Sequence, residues 1–147
     1  MFRSIVVGTD GSQTAQKAVD AAVELAKLTG ATLELVSAYE PVPNQSLRRE
    51  IHHVPPDLQW MIYPREDVDA TLAEAAERVR GGGVPAQTYA REGDPADAIL
   101  DVAEELGAEL IVVGNKGMTG AKRFLLGSVP NKVSHHAPCA VMIIRTT

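Results

Sequence analysis

Apolar runs that alternate with amphipathic helical segments most strongly constrain the fold of this chain. Residues 2–9 contain a continuous β-branched run, which is typical of a buried strand. A helix is predicted next, with Ser12 as its N-cap and Gly30 at its end. A second strand is predicted over residues 31–39. Strand, helix and strand in this succession form a βαβ unit, which implies parallel pairing.

The same alternation continues along the rest of the chain. The predicted elements are a helix over about residues 66–80, a strand over 84–90, a helix that opens at Asp94-Pro95 and ends at Gly107, a strand over 110–113, a helix over about 129–136 and a last strand over 140–144. This order predicts an α/β fold: a five-stranded parallel sheet, doubly wound with helices on both faces, in the strand order 3-2-1-4-5.

The length and composition indicate one domain over residues 1–147. Of the 147 residues, 45% are hydrophobic and 22% are charged, which suits a single compact core. Residues 40–65 are rich in proline and have few periodic apolar positions, so they are predicted to be a mobile insert. Trp60 and Tyr63 within it either cover a ligand, contact a partner or anchor the segment to the domain, and the role of the insert stays open.

Charge and residue usage exclude several classes of function. The net charge is -5, the basic residues are scattered and only 4% of residues are aromatic, so we expect no nucleic acid partner. No apolar stretch has the length of a signal peptide core or a membrane span, which leads us to expect a cytoplasmic protein without a membrane partner. Cys139 is the single cysteine and has no partner for an internal disulfide.

A ligand should bind where the strand order of such a sheet reverses, outside the carboxyl ends of the strands. The first strand is followed there by Gly8-Thr9-Asp10, and the fourth by Gly114 and Gly117, with Gly127-Ser128 before the next helix. Glycines allow the backbone to approach a bound group closely, and the amides of a helix N-terminus favour a phosphate. The segment also carries positive charge at Lys116, Lys122 and Arg123. We interpret it as a phosphate cradle formed by Gly114, Gly117, Gly127, Ser128 and Val129.

The pattern Gly-two residues-Gly-nine residues-Gly-Ser resembles the motif of the ATP-binding branch of the universal stress protein family. The opening Ile-Val-Val-Gly-Thr-Asp-Gly-Ser is also similar to the first strand and loop of that family. The resemblance extends over residues 5–144 and implies a Rossmann-like fold of the adenine nucleotide alpha hydrolase type. It implies a regulatory module of the stress response that binds ATP, with or without Mg²⁺.

The resemblance also implies roles for individual residues. It places Asp10 beside the ribose, the phosphates or a phosphate-bound Mg²⁺, and Gly8 and Thr9 in the wall of the pocket. It places Ala38 and Val113 against the adenine, and Ser128 and Val129 at the phosphates. It further implies a homodimer in which the strand over residues 140–144 pairs with its symmetry mate, which would also cover an apolar edge.

Other readings of the same residues remain open. A cyclic AMP-binding protein of the same fold and a slow ATPase are the alternatives to an ATP-binding module. No catalytic residue is predicted, because no Walker A loop and no Ser/His/Asp or Cys/His arrangement is recognisable. Asp10 is also a common type of turn residue before Gly11. The pairs His52-His53 and His135-His136 lack further ligands at suitable spacing, so no metal site is predicted.

Overall fold

The computed structural model describes residues 2–40, 65–115 and 126–146. The predicted insert therefore lies almost wholly outside the described residues, as do Lys116, Gly117, Lys122 and Arg123. Strands and helices alternate through the described ranges. They are β1 (Ser4–Gly8), α1 (Gln13–Thr29), β2 (Thr32–Tyr39), α2 (Arg65–Gly81), β3 (Ala86–Glu92), α3 (Pro95–Leu106), β4 (Leu110–Gly114), α4 (Ser128–His136) and β5 (Ala140–Ile144).

All five strands pair in parallel in one sheet, in the order β3-β2-β1-β4-β5. The predicted fold class and strand order are confirmed. Val7 of β1 lies opposite Leu35 of β2 on one side and Val112 of β4 on the other. The chain therefore builds outward from β1 in one direction through β2 and β3, and in the other through β4 and β5. The reversal falls between β1 and β4, where the carboxyl ends of the strands leave a crevice.

The helix ends follow the predicted capping residues. The Ser12 hydroxyl accepts a hydrogen bond from the Ala15 amide at 3.1 Å, and Gly30 closes α1 in the left-handed region at φ 75°. Asp94 caps α3 by accepting from the Asp97 amide at 3.1 Å, with Pro95 in the first turn. These local bonds fix where α1 and α3 begin, directly after the loops that follow β1 and β3.

The third strand begins and ends two residues later than predicted. The Val84 amide still bonds to the Val79 carbonyl at 3.3 Å, so residue 84 closes the preceding helix and does not enter the sheet. At the other end, Glu92 lies opposite Tyr39, and the Gly93 amide donates to the Tyr39 carbonyl at 2.9 Å. Pairing with β2 thus extends β3 beyond its apolar residues, which sequence periodicity does not reveal.

The sheet separates two apolar layers. Ile5 and Val7 of β1 face one layer, which packs against α1 and α2, whereas Val6 faces the other, which packs against α3 and α4. All three side chains are fully buried. Within the described ranges no helix is long and apolar enough to cross a membrane.

Truncation in the first layer should test how far stability depends on this core. Leu33 in β2 is fully buried, so Leu33→Ala should lower the free energy of unfolding by about 2 to 5 kcal/mol, through lost burial and a residual cavity. Leu28 in α1 is 85% exposed, and Leu28→Ala is the matched control with almost no expected change. Urea unfolding of both variants measures the difference; equal losses would contradict the assigned burial.

Candidate functional site

A cavity of about 260 Å³ opens at the carboxyl ends of β1, β2 and β4 and reaches the N-terminal ends of α3 and α4. It lies at the strand reversal, where ligand binding is expected in an open parallel sheet. Most of the residues predicted from the sequence line it. They are Gly8, Thr9, Asp10, Ala38, Val113, Gly114, Ser128 and Val129.

Two predicted residues are not among the described residues that line the cavity. Gly117 lies outside the described residues. Gly127 is buried and is not among the described residues that line the cavity, and its amide donates to the Asn115 carbonyl at 2.9 Å. Its contribution is therefore to hold the start of α4 against the end of β4. The amides directed to a ligand would belong to the residues that follow it.

The loop after β1 is held in shape by its own side chains. The Thr9 hydroxyl accepts from the Gly11 amide at 3.2 Å, and the Asp10 carboxylate accepts from the Ser12 amide at 2.8 Å. Gly11 has φ 83°, which favours glycine, and a Cβ there would approach the Thr71 side chain to 2.9 Å. Asp10 is thus a turn residue, as one interpretation of the sequence held, and it also lines the cavity.

The N-terminus of α4 presents backbone amides at the opposite wall. Gly127 is its N-cap, with no side-chain capping bond, so a cap acceptor does not occupy the first amides. The first turn contains Ser128, Val129 and Pro130, and all three residues line the cavity. Since proline has no N–H, Ser128 and Val129 supply the donors there. Two amides at the positive end of a helix dipole form a suitable environment for an anion.

The structure adds lining residues that the sequence analysis did not single out. They come from β2, from α2 and from the start of α3, and include Ser37, Tyr39, Thr71, Gly93, Asp94 and Ile99. Gly93 and Asp94 directly follow a parallel strand, so the rule that pointed to the ends of β1 and β4 also covers them. Thr71 lies in the middle of α2, and only the packing of that helix beside the β1 loop brings it to the cavity.

The described wall of the cavity is acidic. Four carboxylates line it, from Asp10, Glu40, Asp67 and Asp94, and no lysine or arginine is among its described lining residues. Lys132 on α4 lies 3.5 Å from the Asp94 carboxylate and 2.8 Å from that of Asp97, and the hydrogen bond to Asp97 raises the pKa of Lys132. This pair of contacts joins the start of α3 to the second turn of α4 and offsets part of the Asp94 charge.

Several other titratable groups lie within the described residues. In the ranges that the structure covers, no cluster of three or more His, Cys, Asp or Glu side chains could hold a metal ion. Cys139 is half-buried, and burial raises the pKa of its thiol, so the reactive thiolate is disfavoured. His135 and His136 lie side by side in the last turn of α4.

Comparison with known proteins connects this geometry to a family. A model described as the universal stress protein family matches residues 1–145. The chain belongs to the universal stress protein family. A curated relative is the universal stress protein YxiE of Bacillus subtilis, which is 40% identical over 150 residues that cover 99% of this chain and 100% of that protein.

Two solved structures of universal stress proteins are similar in fold and hold adenine nucleotides. One, in complex with cAMP, is 32% identical with a TM-score of 0.72, over 99% of this chain and 98% of that chain. The other, from Archaeoglobus fulgidus in complex with dAMP, is 26% identical with a TM-score of 0.66, over 99% of this chain and 100% of that chain.

A substitution at Gly8 should reshape the cavity. A Cβ at this position would lie 2.5 Å from Ile99 Cδ1, and both residues line the cavity. Gly8→Ala should therefore displace the end of the Ile99 side chain and cost about 1 kcal/mol of stability, at the lower end of the cost of overpacking. Gly81→Ala at the end of α2 is the control, because a Cβ there meets nothing within 4 Å. Thermal unfolding of both variants measures the effect, and a Gly8→Ala protein as stable as the control would contradict the close packing.

Proposed function

We propose that this universal stress protein is a single-domain regulatory module of the stress response that binds an adenine nucleotide, with ATP as its ligand, in the cavity at the strand reversal. The observation that carries the proposal is the convergence of three independent segments on one cavity. These are the Gly8–Asp10 turn, Gly114 at the end of β4 and the first turn of α4. We expect the module to act in the cytoplasm.

Different lining residues of the cavity suit the phosphates and the base of a nucleotide. The amides of Ser128 and Val129 at the N-terminus of α4 would bind the phosphates beside Gly114. Gly127 would hold the start of α4 in place through its bond to Asn115, and the glycine spacing of the sequence assigns Gly117 to the same phosphate site. Ala38 and the buried Val113 provide an aliphatic surface for the adenine ring. Asp10 would reach the ribose hydroxyls or a cation held by the phosphates, while its bond to Ser12 keeps the carboxylate oriented.

The charge of the described wall bears on the form in which ATP binds. Among the described residues, a triphosphate would meet the carboxylates of Asp10 and Asp94, and the α4 amides would offset part of its charge. The basic residues Lys116, Lys122 and Arg123 lie outside the described residues. Mg²⁺ prefers one or two carboxylates together with phosphate oxygens. We therefore propose that ATP binds as its magnesium complex, with the Asp10 carboxylate next to the metal ion.

The relatives support an adenine nucleotide without fixing its phosphates. The ligands of the two similar structures, cAMP and dAMP, share an adenine base and a single phosphate group. A cyclic AMP-binding module is therefore the second candidate, and the acidic wall favours it because a cyclic monophosphate carries one negative charge.

Slow ATP hydrolysis is compatible with this proposal, whereas rapid turnover is not expected. Rapid hydrolysis requires side chains that orient the attacking water and stabilise the charge on the transferred phosphoryl group. The sequence analysis predicts no catalytic residue of this kind. Steady-state release of phosphate measures turnover, and a fast rate that Asp10→Ala abolished while binding persisted would favour an enzyme.

Direct titration tests the proposed ligand. Isothermal titration calorimetry of the full chain with ATP, ADP and cyclic AMP, each with and without Mg²⁺, should give saturable binding of ATP that is tighter with the metal. Tighter binding of cyclic AMP, unaffected by Mg²⁺, would favour the second candidate. If none of the three nucleotides binds, the proposed function is wrong.

Asp10→Asn tests the role of the Asp10 charge in Mg²⁺-dependent ATP binding without changing the shape of the turn. Asparagine keeps the side-chain oxygen that accepts from the Ser12 amide, so the turn should persist while the charge is lost. We expect the gain in ATP affinity from Mg²⁺ to fall about tenfold, or about 1.4 kcal/mol. The comparison is Asp67→Asn on α2, a lining carboxylate to which the proposal gives no role. Equal losses in the two variants would indicate a general effect of charge.

The proposed assembly is a homodimer through β5. This strand lies at the edge of the sheet, next to β4, and Met142 and Ile143 are 39% and 38% exposed. An apolar edge strand is prone to pair with another strand, and a two-fold contact with a second copy would cover it.

Ile143→Lys should shift this dimer towards the monomer, because a charge would be buried in the paired edge. Thr88→Lys on β3, the strand at the opposite edge, is the control and should leave the assembly unchanged. Sedimentation equilibrium measures both. A parent protein that is monomeric, or dimers that persist in the Ile143→Lys variant, would contradict the proposed interface.

A further inference from the structure

We propose that Asn115 is a positioning residue for the nucleotide site, and that it couples occupancy of the site to the order of the segment that follows β5. The inference rests on the proposed function, because it assumes that a nucleotide binds beside Gly114 and Ser128. It assigns to Asn115 no contact with the ligand. Its basis is a set of hydrogen bonds that joins three separate parts of the chain through this residue.

The backbone of Asn115 joins the two sides of the proposed phosphate site. Asn115 follows Gly114 directly, and its carbonyl accepts from the Gly127 amide at 2.9 Å. Gly127 in turn directly precedes Ser128, the first residue of α4. One hydrogen bond therefore sets the separation of Gly114 and Ser128, both of which line the cavity.

The Asn115 amide also continues the pairing of β4 with β5. It donates to the carbonyl of Ile144, the last residue of β5, at 2.8 Å. The same residue thus holds the end of the edge strand and the start of α4. A shift of Asn115 would change the position of both.

The side chain of Asn115 binds the segment after β5. Its Oδ1 atom accepts from the Thr146 amide at 2.8 Å and from the Thr146 hydroxyl at 3.1 Å. Thr146 is only 2% exposed, so loss of this oxygen would leave two buried donors without that acceptor. Such a loss is costly, because a buried donor without a partner forfeits its hydration. A short amide side chain therefore accounts for the burial of a polar residue at the end of the sheet.

Thr146 also connects Asn115 to α1, which begins beside the opposite wall of the cavity. Its carbonyl accepts from the Lys17 ammonium group at 3.0 Å. Lys17 lies in the first turns of α1, the helix that begins just after Asp10 and Ser12. The bonds thus run from α1 through Thr146 and Asn115 to Gly127 at the start of α4.

This arrangement makes the coupling reciprocal. A nucleotide that contacts Gly114 and Ser128 would favour the separation that the bond between Asn115 and Gly127 maintains, and so would favour the bonds of Asn115 to Thr146. By linkage, an intact Thr146 must then increase nucleotide affinity by the same factor. A residue that only stabilises the fold would not show this mutual dependence.

Amide exchange and calorimetry on the full chain test the coupling. In the parent protein, saturating ATP with Mg²⁺ should slow hydrogen exchange of the Thr146 and Gly127 amides, as measured by nuclear magnetic resonance. Thr146→Val removes one donor and nearly preserves shape, and it should weaken ATP binding about fivefold, within the usual range of coupling between sites. Asn115→Ala should weaken it more and abolish the effect of ATP on Thr146 exchange.

Two controls separate this coupling from general damage. Thr88→Val makes the same change at an exposed position of β3 and should leave ATP affinity unchanged. Asn115→Asp keeps an oxygen acceptor, so it should restore the slow exchange of the Thr146 amide that Asn115→Ala loses. This exchange is measured without nucleotide, so the readout does not depend on how the new charge affects ATP binding.

The outcomes distinguish failure of the coupling from failure of the function. If the parent binds ATP but its Thr146 exchange does not respond and Thr146→Val binds as the parent does, the positioning role of Asn115 is wrong while the proposed function stands. If the parent binds no adenine nucleotide, the proposed function fails and the coupling fails with it.

Discussion

The burial of β1 between two parallel neighbours is the constraint on which the rest of the structure depends. Its central side chains are fully buried on both faces, and its backbone pairs with β2 on one side and β4 on the other. A strand with both edges paired and both faces covered cannot slip in register without exposing its core side chains or losing its hydrogen bonds. The chain leaves β1 towards β2 and returns at β4, so the crevice at the strand reversal, and the cavity in it, follow from this placement.

Within that crevice, the backbone groups and the described side chains differ in the charge that they present to a ligand. The amides of α4 favour an anion, whereas the described side chains contribute four carboxylates. The Asp10 and Asp94 carboxylates also shape the backbone, since each accepts from an amide near the start of a helix. The two carboxylates that shape the starts of α1 and α3 thus also contribute negative charge to the described cavity wall. The local capping chemistry of the two helices is thus connected to the electrostatics of the described cavity wall.

Much of this could be predicted from the sequence because the signals are local. Ser12 and Gly30 define α1 through contacts within a few residues, and the β-branched run of β1 is recognisable by composition alone. The residues after β1 and β4 could be assigned to one cavity because parallel strands end at the same edge. The limits of β3 were missed because Arg91 and Glu92 extend the strand through backbone pairing with β2. The sequence analysis did not identify Thr71 as a lining residue, because helical periodicity does not show which loop a helix packs against.

The sequence by itself determined the fold class and the chain segments that meet at the cavity, since periodicity, capping and the glycine spacing are properties of neighbouring residues. Only the tertiary structure decided that Gly127 bonds to Asn115, that Thr146 is buried on the Asn115 side chain, and that the described wall is acidic. The physical reason is that these contacts join residues distant in the chain, and a side-chain hydrogen bond between them depends on register and packing to within a fraction of an ångström. No local pattern carries that information.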